Sequence, residues 1–267
     1  MKTRAITAFF FTIVMLGSIF LGAYTFSIFY LALSTMALME FYKLVNTTGA
    51  KPNFRMGLVL SVLIFSILVA HQLIKFESKY LILIVPLLFL VFIMELYQRE
   101  KMPFANISYT FIGLIYITVP FCFYYALGFM NAGNGYNFHL PLAFLLMLWA
   151  SDTGAYLFGR KLGKTRLFER HSPKKSWEGF FGGVLTSVVV AFLISLQFTE
   201  LNVMVWTGMA VLVVSFGTLG DLVESMLKRS LDVKDSGTLL PGHGGVLDRF
   251  DGLLIAAPIV YTYLYLI

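Results

Sequence analysis

The chain is 267 residues long, 58% hydrophobic and 13% charged, with mean hydropathy +0.81 and a formal net charge of +6. Soluble globular chains carry about 25% charged residues, so this composition excludes an ordinary soluble domain and points to an all-α, polytopic integral membrane protein. The single cysteine, Cys122, excludes a disulfide framework and a cysteine-based metal site.

A spanning helix needs about 20 mostly apolar residues, and isolated strands leave backbone groups unsatisfied in lipid. Nine stretches qualify, at approximately residues 5–21, 24–42, 56–74, 80–97, 105–130, 138–158, 179–198, 202–222 and 250–267. Lys2 and Arg4 ahead of the first run resemble the start of a secretory signal. The run continues almost uncharged to Met39, so it is expected to stay as a first span, with Gly22 and Ala23 as the turn into the second. There is no soluble domain, long linker or low-complexity tract. A single membrane-embedded domain over 1–267 is expected, with 1–130 carrying spans without a recognisable motif and 138–267 carrying the site.

The basic residues test the count. With a cytoplasmic N-terminus and nine spans, the inner segments are 1–4, 43–55, 98–104, 159–178 and 223–249, and they hold 18 of the 20 Lys and Arg. Only Lys75 and Lys79 fall outside, and residues 131–137 carry no charge. Cytoplasmic loops are enriched in Lys and Arg, so this parity is preferred. It also assigns the positive charge to loops beside anionic lipid and away from nucleic acid.

Three polar constellations follow in chain order, all on the side predicted to be cytoplasmic. In Ser151-Asp152-Thr153-Gly154-Ala155-Tyr156, Asp152 lies within an apolar stretch. An ionisable group there marks a functional site by default; the alternative is an interfacial carboxylate paired with Arg160 or Lys161. The second constellation is Ser172-Pro173-Lys174-Lys175-Ser176-Trp177-Glu178-Gly179. Pro173 suits a helix start, and a lysine pair at a helix start suits a polyphosphate; the alternative is ordinary cytoplasmic lysines.

The third constellation is the densest: ten of the 34 charged residues fall between Asp221 and Asp251. Asp221, Glu224, Ser225 and Lys228 share one helical face. Asp248 and Asp251 stand three apart at the start of the last span. Between them, Gly242, Gly244 and Gly245 surround His243 in a loop whose N–H groups suit phosphate oxygens. Such hard oxygen ligands suit Mg²⁺. The alternative is a solvated loop with interfacial charges. His243 has no neighbouring Cys or His, so zinc is not expected; it either donates to a phosphate or caps the turn.

The stretch Ser225-x-x-Lys228-Arg229-x4-Lys234-Asp235-x-Gly237-x2-Leu240-Pro241-x-His243-Gly244-Gly245-x2-Asp248-Arg249-x-Asp251 resembles the signature of the phosphatidate cytidylyltransferases, also called CDP-diacylglycerol synthases, of bacterial type. The other two constellations are similar to family segments in the same order, with Ser176 where Thr is common. Over the first 130 residues the resemblance is one of hydropathy only. It implies a Mg²⁺-dependent transfer of CMP from CTP to phosphatidate, giving CDP-diacylglycerol and pyrophosphate. On that reading Asp221 and Asp248 are the principal metal ligands and Asp251 a weaker third. Lys174, Lys175, Lys228 and Arg229 grip phosphates. Ser225 and His243 donate to phosphate oxygens. Ser172, Gly244, Gly245 and Arg249 join the substrate site, and Asp152 supports a base or a second cation. A homodimer and a multi-pass position in a bacterial plasma membrane are implied as well.

Two other classes share the composition. A secondary transporter or channel would place ionisable groups along a path at mid-depth, whereas these cluster at one membrane face. A second lipid-head-group enzyme, such as a polyprenol kinase, would use ATP and release ADP. The Asp-Gly-x2-Ala-Arg pattern of the CDP-alcohol phosphotransferases does not occur.

Overall fold

The computed structural model describes residues 2–130, 135–233, 235–237 and 244–267. The nine apolar stretches are all helical. They form α1 (Lys2–Phe20), α2 (Ala23–Asn46), α3 (Phe54–Ile74), α4 (Ile84–Leu96, led in by a 3₁₀ turn at Ser78–Leu83), α5 (Pro103–Gly113), α6 (Val119–Leu127), α7 (His139–Leu162), α8 (Trp177–Gln197), α9 (Val203–Ser230) and α10 (Leu247–Leu266). α5 and α6 join through a π-helical turn, Leu114–Thr118. Pro120 lies just beyond it and has no N–H to donate back to Tyr116, so a regular α-helical ladder is broken at this point.

Seven of these helical stretches are long and apolar enough to cross a membrane: Ala23–Asn46, Phe54–Ile74, Lys79–Leu96, Pro103–Leu127, His139–Leu162, Trp177–Gln197 and Val203–Ser230. The expected nine therefore resolve, among the described residues, into seven full spans and two weaker ones. The apolar part of α1, Thr7–Phe20, is shorter, and α10 begins with Asp248, Arg249 and Asp251 inside its first turns. α1 and α2 part where expected, at Gly22, whose φ of +106° is a conformation that glycine adopts readily. Large apolar side chains such as Phe89, Ile93, Leu157, Phe181 and Leu193 are exposed, the outward surface a lipid-embedded bundle presents.

The chain forms two compact units, Met1–Tyr125 with Leu231–Arg249, and Ala126–Ser230 with Phe250–Ile267. The first is built around aromatic rings. Phe26 packs on Tyr30, Tyr124 and Tyr125, and Phe65 on Tyr125. The hydroxyl of Tyr125 meets Ser27 at 3.0 Å. Where α2 and α3 join, Asn106 donates to the buried Glu95 at 2.7 Å and accepts from the Lys51 N–H. Thr110 accepts from the Asn53 N–H, and Asn53 in turn caps α3.

The second unit is organised by close approach of α7 and α8, which run antiparallel. A Cβ on Gly182 would lie 2.4 Å from Phe158, and one on Gly154 would lie 2.7 Å from the Gly182 carbonyl. Thr186 donates to the Ala150 carbonyl at 2.9 Å and Ser187 to that of Met147 at 2.6 Å. In lipid, where apolar side chains gain little by leaving their surroundings, small residues and such cross-helix bonds drive association.

Between these helices lies an element the sequence reading did not anticipate. β1 (Arg166–Phe168) pairs antiparallel with β2 (Ser172–Ser176) in a short hairpin. This corrects the expectation that Pro173 starts a helix. α8 begins at Trp177, with Ser176 as its cap accepting from the Gly179 N–H at 3.2 Å. A proline is tolerated in a two-stranded ribbon because both strands are edges.

Candidate active site

The hairpin decides where the lysine pair goes. Successive residues of a strand face opposite ways, so Lys174 and Lys175 separate. Lys174 is exposed, while Lys175 reaches Asp221 on α9 at 2.5 Å. Glu178, to which the sequence reading gave no role, fixes the base of the hairpin: its carboxylate accepts the N–H groups of Lys164 and Thr165 at 3.1 Å. The Trp177 N–H closes the same turn on the Thr165 carbonyl at 3.0 Å. Ser172 lies at the far end of the ribbon, opposite Phe168.

α9 comes close to α10 because glycines meet where they cross. A Cβ on Gly220 would sit 2.3 Å from the Asp251 carbonyl, and one on Gly252 would sit 3.5 Å from the Gly217 Cα. This contact carries Asp221, the next residue on α9, to Asp251. Asp152 on α7 joins them: it feels the charges of Asp221 and Lys175, and Asp251 feels all three. Three carboxylates and one ammonium thus converge from α7, β2, α9 and α10, although they are widely spaced in sequence.

Further along α9, Ser225 meets Asp221 at 3.3 Å. Lys228 is ion-paired with the fully buried Glu224, four residues earlier. Arg229 is exposed at the end of the helix. The shared face predicted for Asp221, Glu224, Ser225 and Lys228 therefore exists, but its lysine is engaged within the helix.

The donors near Asp221 are hard oxygens. Among the described residues no group of three or more His, Cys, Asp or Glu side chains is arranged to hold a metal ion. Magnesium commonly takes one or two carboxylates and completes its shell with substrate phosphates and water. Asp221 with Asp251 fits that pattern.

Asp248, Gly244, Gly245 and Arg249 belong to the first unit. Asp248 Oδ2 accepts from the N–H of Ser236 at 3.0 Å and of Gly245 at 2.9 Å. The Gly245 N–H, expected to face a phosphate, is thus directed at Asp248. Gly244 has φ +85°, and a Cβ there would lie 2.8 Å from Asp248 Oδ2. Arg249 is exposed. His243 lies outside the described residues, as do Lys234, Leu240, Pro241 and Gly242.

One residue against this loop was missed by the sequence reading. Glu40, 5% exposed on α2, accepts from the Leu247 N–H at 2.9 Å. The signal was available, since Glu40 is an acid inside an apolar stretch, the same rule that singled out Asp152.

A sequence model described as the cytidylyltransferase family matches residues 2–267. The chain is 35% identical over 268 residues to a phosphatidate cytidylyltransferase of Staphylococcus aureus strain COL, covering 97% of both chains. It is 33% identical to the phosphatidate cytidylyltransferases of Staphylococcus haemolyticus and Staphylococcus epidermidis, again over 97% of each chain.

Proposed function

The chain belongs to the cytidylyltransferase family, and we propose that it transfers CMP from CTP to phosphatidate, giving CDP-diacylglycerol and pyrophosphate. At the site, the reading is carried by the convergence of Lys175, from the hairpin, with Asp221, Asp152 and Asp251 on helices otherwise made for lipid.

The phosphate of phosphatidate is already anionic near neutral pH, so the reaction needs no strong protein base. One of its oxygens attacks the α-phosphorus of CTP in line, the bond from that phosphorus to the bridging oxygen of the β-phosphate breaks, and pyrophosphate leaves. What the protein supplies is position and charge neutralisation. Lys175 is the group best placed to do so, because its pair with Asp221 is partly open to solvent and an incoming triphosphate competes for it. Lys174 and Ser172 on the hairpin and Arg229 at the end of α9 extend a donor-rich surface for phosphates. Asp152 helps hold the Lys175 ammonium in place. Mg²⁺, held by Asp221 with Asp251, would neutralise the triphosphate and stabilise the departing pyrophosphate. Asp248 is retained as an acid on which the reaction depends.

The same reading places the site at the cytoplasmic face of a bacterial inner membrane, supported by the positive charge of residues 159–178 and 223–249. It also retains the homodimer. The deciding experiment incubates purified protein with labelled CTP, phosphatidate and Mg²⁺ and looks for CDP-lipid and pyrophosphate in equal amounts. Folded protein that binds neither CTP nor dCTP and turns over neither would overturn the reading. ADP formed from ATP would instead identify a kinase, and solute uptake without nucleotide turnover a transporter.

A further inference from the structure

The geometry points to Glu40, on a helix that carries none of the recognised motifs, as a positioning residue: its buried carboxylate holds Val246 and Leu247, lies against Gly237 and Gly245, and thereby sets where Asp248 lies. The inference rests on the reading of Asp248 as a residue the reaction needs.

Glu40 lies six residues before the end of α2 and is almost fully buried. A carboxylate in such surroundings is costly without strong partners. Its partners are backbone groups of the loop. Oε2 accepts from the Leu247 N–H at 2.9 Å, and Val246 contributes a further backbone hydrogen bond. Leu247 is the first residue of α10, where N–H groups have no partner within the helix and the helix dipole favours a negative charge. Glu40 therefore caps α10 from more than 200 residues away in sequence.

The loop is shaped to let this carboxylate in. A Cβ on Gly237 would lie 2.7 Å from Glu40 Oε1, and its three nearest neighbours would all be atoms of Glu40. A Cβ on Gly245 would lie 2.1 Å from Ser236 Oγ and 2.5 Å from Glu40 Oε2. These two glycines thus have a reason beyond turn geometry: they admit a buried acid. Asp248 accepts from the N–H groups of Ser236, beside Gly237, and of Gly245 itself. Asp248 and Glu40 thus both meet the stretches 236–237 and 245–247. Lys43, on the same helix as Glu40, and Asp248 are the charged groups whose fields reach Glu40.

A capping acid far from the chemistry and a positioning acid differ in their coupling to Asp248, and the test reads that coupling. Glu40→Ala should fold and insert, raise hydrogen exchange over residues 244–247, and lower kcat roughly 10–100-fold, the usual scale for losing an outer-shell partner. In an Asp248→Asn background the same substitution should have little further effect, because it acts through Asp248. Gly237→Ala should mimic Glu40→Ala, and adding Glu40→Asp, which withdraws the carboxylate by one methylene, should restore several-fold of the lost kcat.

Wild-type kcat in Glu40→Ala, unchanged exchange over 244–247, or a full additive loss on Asp248→Asn would each overturn the proposal. Should Glu40→Ala not fold, the Gly237→Ala and Glu40→Asp pair decides: no recovery sinks the idea. Full activity of Asp248→Asn alone would sink it from a different side, by removing the reading of Asp248 on which it rests.

Discussion

Two of the lysines expected to bind phosphates, Lys175 and Lys228, are ion-paired, and burial separates their roles. The side chains of Lys175 and Asp221 are 26% and 39% exposed, whereas those of Lys228 and Glu224 are 16% and 0% exposed. An ion pair open to water contributes about 1 kcal/mol or less, so a triphosphate can displace it. A buried pair is different: removing one partner strands a charge, at a cost of about 3–5 kcal/mol. On the proposed reading Lys175 is therefore the exchangeable cation, and Lys228, paired with buried Glu224, the fixed one. Asp221 is the acid with the most to do, since it meets Lys175, Ser225 and the field of Asp251. Asp221→Asn keeps its size and removes its charge. It should lower kcat at least about 100-fold, the scale of losing one electrostatic stabiliser; single-turnover assays with labelled CTP measure this, and wild-type turnover would strike Asp221 from the site. Asp152, Asp221 and Asp251 were all visible in the sequence because acids beside apolar runs stand out. Glu40 stood out by the same rule and was passed over because no motif surrounds it. What a sequence does not display is the partner: a backbone N–H leaves no mark in residue type.

The helices were legible because hydropathy reports them directly, and lipid permits little else. The hairpin was not. β1 has three residues and β2 five, with Ser-Pro-Lys-Lys-Ser as the second strand, and neither carries the alternation that marks a half-buried strand. Its cause is tertiary, namely the Glu178 carboxylate binding backbone groups of Lys164 and Thr165. The consequence was a misplaced helix start and a lysine pair read as a unit. The glycines at 179, 182 and 183 lie where α8 packs closely on α7. That contact is the element on which Asp152 and the hairpin are both mounted. Gly182→Val should disrupt it, because its branched side chain would begin 2.4 Å from Phe158. Overpacking of this kind destabilises by about 1–3 kcal/mol or more. A lowered Tm of the detergent-solubilised protein, together with lost activity, is the expected result. An unchanged Tm would mean that the helices part without penalty.

At the scale of the whole chain, the charge pattern and the helices make one joint statement about sidedness. Residues 159–178, from the last turn of α7 to the first of α8, carry seven Lys and Arg, while the connections around 135 and 200 carry none. Since α7 is a single continuous helix from His139 to Leu162, its two ends face opposite sides of the bilayer if it spans. At the end without Lys or Arg, His139 pairs with Glu200 at 2.7 Å and stacks on Phe198, tying the start of α7 to the α8–α9 connection. At the other end lie the hairpin and Lys175. Basic residues resist translocation, and the proposed reaction uses CTP, a cytoplasmic nucleotide, so the charge pattern and the proposed reaction predict the same side. After Cys122→Ser removes the native thiol, a cysteine at position 135 should react with an impermeant maleimide added to intact cells. One at position 168, where Phe168 is exposed, should react only after the membrane is opened. The reverse pattern would put the candidate site on the side without CTP and would count against the proposed reaction as well as against the topology.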